Sequence, residues 1–137
     1  MNIFVVFASG QVDVSIIQCI SGAGSLSLVG HSKDTQLALD QIIESKAQLV
    51  MVDSRNAVND AQTLLQMLRE KASDLSTFVI LGTVPMLRYE STKSGKLIYY
   101  FKFPEEEKRL RTLLGALEKQ NVRTDQDNYI SRFQTGN

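Results

Sequence analysis

The stretch Gln48-Leu49-Val50-Met51-Val52-Asp53-Ser54-Arg55-Asn56 constrains this chain most. Four apolar residues run without polar alternation and stop at a carboxylate, after which polar loop residues follow. A short unbroken apolar run bounded by turn formers reads as a strand buried on both faces, as in a parallel sheet. Parallel strands need crossover connections, usually helices, so the flanking sequence should switch between strand and helix periods. The same stretch places Asp53 where open parallel sheets collect ligands, at the carboxyl end of a strand. Taken alone, Asp53 has a simpler reading as a helix cap or turn residue.

The flanks do switch. Residues 3–7 are a β-branched and aromatic run, hence a first strand. Val12, Ile16, Ile17 and Ile20 then recur at helical spacing, which predicts a helix over 12–22 with Asp13 inside its first turn and Gly22-Ala23-Gly24 as its stop. Leu26, Leu28 and Val29 form a second strand, ended by Gly30. Ser32 or Asp34 caps a helix with Leu37, Leu39, Ile42 and Ile43 on its apolar face. After the third strand, Asn59 or Asp60 is the expected N-cap of a helix carrying Leu64, Leu65, Met67 and Leu68 to about residue 72. Phe78-Val79-Ile80-Leu81 is a fourth buried strand, closed by Gly82-Thr83. Residues 84–96 are interrupted by Pro85, Ser91, Ser94 and Gly95, leaving Met86-Leu87-Arg88-Tyr89 for a turn or two of helix. Residues 97–101 make a fifth strand. Pro104 opens a last helix, with Glu105, Glu106 and Glu107 in its first turn and Leu110, Leu113, Leu114 and Leu117 on its apolar face.

Five strands alternating with helices, under the right-handed crossover rule, predict an α/β fold: a flavodoxin-like, doubly wound five-stranded parallel sheet of order 2-1-3-4-5, with helices on both faces and the fourth helix degraded. Residues 1–120 form this domain, and 121–137 read as a linker or C-terminal extension. At 137 residues and 43% hydrophobic content there is material for one core. Fifteen Lys and Arg balance fifteen Asp and Glu, so there is no global field for nucleic acid or an acidic membrane. One cysteine, Cys19, and one histidine, His31, exclude an intramolecular disulfide and make a poor metal site. The N-terminal apolar run is too short for a signal peptide or a membrane span, so a cytoplasmic location is expected.

Chemistry should sit on the loops after the strands. Ala8-Ser9-Gly10-Gln11 lacks the glycine spacing of a dinucleotide fingerprint, and no phosphate-cradle motif occurs anywhere in the chain. A carboxylate, a hydroxyl and an ammonium do stand at three successive strand ends: Asp53, Thr83 and Lys102. Over residues 1–119 this joint spacing resembles the receiver domain of bacterial response regulators. The resemblance implies Asp53 as phospho-acceptor, Thr83 and Lys102 as phosphoryl contacts, and Tyr99 as the switch aromatic.

The departures from that pattern point to an atypical receiver, or pseudo-receiver. Ala8 and Ser9 stand where the family carries the acidic pair that holds Mg²⁺, and phosphoryl transfer to a carboxylate needs such a cation. Ala57 and Ala61 replace a usual proline and glycine. Phe103 intervenes between Lys102 and Pro104, where the family has lysine directly before proline. With these losses Lys102 is expected to pair statically with Asp53. The basic residues Arg88, Lys93, Lys96, Lys108, Arg109 and Arg111, diluted by neighbouring glutamates, read as a solvated face.

The function expected is that of a non-enzymatic regulatory module working by protein–protein contact, without a cofactor and without dependence on phosphorylation. Its contact surface would be the fifth strand, taken as a poorly covered sheet edge, with the neighbouring helices, used by a homodimer or by an output domain of a larger parent protein. Two alternatives stand beside it: a genuine phospho-accepting receiver using Asp53, and a flavodoxin-like binder of a small ligand.

Overall fold

The computed structural model describes residues 1–24, 26–72, 75–83, 89–91 and 96–122. In chain order the elements are β1 (Asn2–Phe7), α1 (Val14–Ser21), β2 (Ser27–Ser32), α2 (Thr35–Ser45), β3 (Leu49–Asp53), α3 (Val58–Lys71), β4 (Thr77–Gly82), β5 (Tyr89–Ser91), β6 (Leu97–Lys102) and α4 (Glu107–Val122). The sheet order is β2-β1-β3-β4-β6-β5. The five strands foreseen from sequence are all parallel and in the 2-1-3-4-5 order, with β6 as the fifth.

Residues 1–120 were expected to close the domain; α4 continues to Val122. Residues 84–88, 92–95 and 123–137, on which the degraded helix, two of the basic residues and the tail were read, lie outside the described residues.

The two-faced burial inferred for β3 is complete, since all five of its residues are buried. Successive side chains of a strand point to opposite faces, so the sheet supports two cores. Ile3, Val5 and Phe7 of β1, Leu49 and Met51 of β3, and Val79 and Leu81 of β4 meet α1 and α4 on one face. Phe4 and Val6, Val50 and Val52, and Phe78 and Ile80 meet α2 and α3 on the other. Cys19 is buried in the first core, and burial pushes its thiol up from its ordinary pKa, away from reactivity.

Four local expectations are corrected. The edge of the fifth strand is not bare: Tyr89–Ser91 pairs antiparallel with β6, Tyr89 opposite Tyr99 and Ser91 opposite Leu97. An extended segment needs no amphipathic period, so the Ser and Gly punctuation that disfavoured a helix is compatible with it. Helix α3 begins at Val58 behind Ala57, with no side-chain cap, rather than behind Asn59 or Asp60. Asn56, at φ 64°, turns the chain early, a left-handed conformation that Asn tolerates. Helix α4 begins at Glu107, because Pro104 belongs to the turn after β6.

The fourth correction is Gly30, which lies within β2 instead of ending it. It sits beside Phe4 where the β1–β2 register shifts. A Cβ there would lie 2.8 Å from Phe4 Cε2. Phe4 is 3% exposed, so its ring has nowhere cheap to go. We expect Gly30→Ala to lower unfolding free energy by ~1–3 kcal/mol, as overpacking does, and Gly30→Ala with Phe4→Leu to recover part of that loss in urea titrations.

Lys96, counted from sequence among the solvated basic residues, is partly buried. Its ammonium donates to the carbonyls of Ala72 (2.7 Å) and Leu75 (2.6 Å) behind α3. Burial lowers its pKa.

Candidate functional site

At the carboxyl end of the sheet a cleft of about 380 Å³ is lined by Ser9, Gln11, Val12, Asp13, Val14, Asp53, Arg55, Asn56 and Thr83. Three loops build it, after β1, β3 and β4. Asp53 ends β3 opposite Phe7 and Leu81 of the neighbouring strands. It is 3% exposed. A carboxylate this buried requires a charged partner and satisfied lone pairs.

Arg55 provides both. Its Nε donates to Asp53 Oδ1 (2.8 Å) and its Nη2 to Asp53 Oδ2 (2.9 Å), a two-point fork. Its backbone N–H donates to the same Oδ1 (3.2 Å), so Asp53 also closes an Asx-type turn after the strand. The same Nη2 reaches Asp13 Oδ2 at 2.6 Å. Beyond the carboxylates, the guanidinium carbon stands 5.1 Å from the centre of the buried Phe103 ring, within cation–π range.

Asp13 is the N-cap of α1, not a residue inside it, and this is the correction that matters most for the site. Its Oδ1 accepts from the backbone N–H (3.0 Å) and hydroxyl (2.5 Å) of Ser15, leaving Oδ2 to face the cleft. The hydrogen bond from Arg55, then that from Ser15, holds its carboxyl below the usual Asp range. The hydrogen bonds it donates to Asp53 and Asp13 outweigh burial and push the Arg55 guanidinium still further from deprotonation.

Of the residues singled out in the sequence, Asp53 and Thr83 line one cleft; Lys102 and Tyr99 are not among its lining residues. The expected Asp53–Lys102 ion pair is replaced by Asp53–Arg55. The Lys102 ammonium meets Glu105 Oε2 (3.3 Å), and its backbone N–H donates to Glu106 Oε1 (2.6 Å). Strand alternation explains this. Tyr99 and Phe101 pack on the α1–α4 core and Ile98 and Tyr100 on the other, so Lys102 follows the face away from Phe103. Phe103, directly before Pro104, is the residue that reaches the site. Both tyrosines are half-buried, one against each core.

Arg55, Asp13 and Phe103 were therefore missed as a group. One signal was available: the displacement of lysine from the position before proline. The bond between Asp13 and Arg55 spans 42 residues, and no local pattern records it.

A divalent cation does not fit this donor set as it stands. Both carboxylates already accept from one guanidinium, and a second cation on the same oxygens would lie a few ångströms from it, where repulsion is strong. Among the described residues no group of three His, Cys, Asp or Glu could hold a metal ion, and no helix is long and apolar enough to cross a membrane.

No protein-family model matches the sequence, and no curated protein matches it. Solved structures do. The response regulator domain of Thermotoga maritima CheB is 14% identical over 88% of this chain and 94% of its own, with a TM-score of 0.61. The signal receiver domain of the response regulator NarL from Mycobacterium tuberculosis is 16% identical over 63% of this chain and 68% of its own, at 0.53. RSP, a Rex-family repressor, is 11% identical over 90% of this chain and 64% of its own, at 0.56, and has also been solved with β-NAD⁺ and operator DNA.

Two outcomes are expected of the ion network. Arg55→Met strands a buried carboxylate and should remove ~3 kcal/mol or more of stability. Lys102→Met breaks only the exposed pair with Glu105 and should remove less than ~1 kcal/mol. Chemical denaturation of both variants beside the wild type measures the difference. Asp13 gives a pH signature. Its folded pKa lies below its unfolded value, so its contribution is complete above about pH 4 and is lost as pH falls through the lowered value. Asp13→Asn, which keeps the cap, should be less stable near neutrality and show a shallower acid limb in thermal melts across that window.

These likenesses establish the fold: the chain is built as receiver domains are, a five-stranded parallel sheet of order 2-1-3-4-5 flanked by helices, with one antiparallel strand added at its edge.

Proposed function

We propose that this domain is an atypical receiver, a regulatory module that acts by protein–protein contact without phosphorylation of Asp53. The observation that carries the reading is the state of Asp53. The only carboxylate ending the central strand is buried and held at two points by Arg55, itself held by Asp13. An acceptor must present a free carboxylate oxygen to an incoming phosphoryl group beside a cation that neutralises the phosphoryl oxygens. Here the oxygens are engaged, and the acidic pair after β1 is Ala8 and Ser9. Thr83 stays on the cleft, but Lys102 is turned to Glu105, so the contacts that would read a phosphoryl group are dispersed.

On this reading the module, expected to close at residue 120, ends with α4 at Val122, and the rest of the chain is a linker or C-terminal extension. Partners, whether a second copy or an output domain of a larger parent, dock at the sheet edge formed by β6 and β5 and on α4. The half-buried Tyr99 and Tyr100 support the strand there rather than forming the contact. No enzymatic step, metal or organic cofactor is assigned. The dinucleotide of the Rex-family neighbour is not carried over, because the loop after β1 has no G-x-G-x-x-G spacing.

The test uses a small phosphodonor. Incubated with acetyl phosphate or beryllofluoride and Mg²⁺, the protein should keep its mass, its amide spectrum and its sedimentation behaviour. A labile phosphoryl adduct that disappears in Asp53→Asn would reverse the reading and install the phospho-accepting alternative.

A further inference from the structure

One guanidinium touches three loops. Arg55 belongs to the β3–α3 loop, bonds Asp13 at the end of the β1–α1 loop, and lies over Phe103 in the turn between β6 and α4. Its side chain is 20% exposed, and the Asp13 and Asp53 side chains are 31% and 4% exposed. The planar fork satisfies both oxygens of Asp53 while one terminal nitrogen also serves Asp13, a division of labour that an ammonium cannot reproduce with fixed geometry. The positive charge cannot be titrated away at any pH the fold would survive.

We propose that Arg55 is the resident cation of this cleft. It takes the place that a divalent ion would need between Asp13 and Asp53, excludes such an ion, and ties the cleft to Phe103, so that the site is held in one closed arrangement by a covalent part of the chain. The mismatch between the donor set and a metal is thus a substitution of one cation for another. Two carboxylates converge on a shared positive centre, as they would on an ion, and the centre is a side chain. What a soluble ion could toggle by arriving and leaving, a tethered guanidinium makes permanent.

The signalling consequence rests on the phosphorylation-independent reading above. If Arg55 fills the cation position, removing it should open that position to an ion. The probe is Mn²⁺ alone, added to the full chain while paramagnetic broadening of amide signals is followed. Wild type should show no saturable broadening at residues 9–13 and 53–56 at millimolar Mn²⁺. Arg55→Ala should show it there, with affinity higher on the order of tenfold or more, since a repelling charge has been removed. Asp13→Asn combined with Arg55→Ala should lose it again. Arg55→Lys, which keeps a charge, should stay metal-inert. Without metal, the Phe103 ring signals should shift in Arg55→Ala, which removes the guanidinium from above the ring.

Saturable broadening centred on Asp53 in the wild type would overturn the proposal, as would an Arg55→Ala chain that folds and ignores Mn²⁺. Should Arg55→Ala fail to fold, Arg55→Gln carries the same test, because it keeps donors for Asp53 while losing the charge. The wild type also decides independently of any variant: the Arg55 Nε proton should exchange slowly with water, and rapid exchange sinks the proposal. The two readings fail separately. A phosphoryl adduct on wild-type Asp53 removes the reading of function, whereas a metal-inert, folded Arg55→Ala removes only the resident cation.

Discussion

Strand β3 meets water on neither face, and this constraint shapes the rest of the molecule. Its four apolar residues and the strands beside them fill two cores at once. Both faces must then be covered, which the crossover helices do. Polarity is admitted only where the sheet ends. Asp53 sits at that boundary, still buried, and a carboxylate there is stable only if a cation comes to it. Arg55 is two residues further along the chain. The cleft, the capping of α1 and the packing over Phe103 all converge on that pairing.

The network also changes what the cleft offers. Without Arg55 it would present two carboxylates, Asp13 and Asp53, to whatever entered. With Arg55 between them, one of the two negative charges is offset and both carboxylates are engaged, and the remaining polar groups are the side chains of Ser9, Gln11, Asn56 and Thr83. On the reading proposed above, such a lining has little purchase on a phosphoryl group or a metal ion. The exposed valines at its rim, Val12 and Val14, are 40% and 60% exposed, single apolar residues of the kind most protein surfaces carry.

The β6 side of the sheet shows a second economy. Where a helix pattern failed, Tyr89–Ser91 supplies an antiparallel strand, so that β6 is paired on both sides. Among the described residues the edge of the sheet moves outward by one strand, to a strand of three residues. Short edge strands are one of the ways in which sheets avoid uncontrolled pairing. On the proposed reading, a partner that uses this edge of the sheet meets β5 before β6.

The sequence by itself determined the alternation of elements, the parallel order of five strands and the position of Asp53, because these follow from periods of two and 3.6 residues and from chain connectivity. It also determined that the loop after β1 carries no acidic pair, which is a matter of residue identity at Ala8 and Ser9. The partner of Asp53 was decided by the tertiary structure alone. From the sequence Lys102 was the cation at the right strand end, and Asp13 belonged inside a helix. Strand alternation turns Lys102 to Glu105, whereas the start of α1 at Val14 leaves Asp13 as a cap with one oxygen facing the cleft. Arg55 then reaches across 42 residues to Asp13 and over to Phe103. Side-chain direction at the ends of strands and helices depends on a single residue of register. Local pattern leaves that register open by a residue or two, and packing closes it.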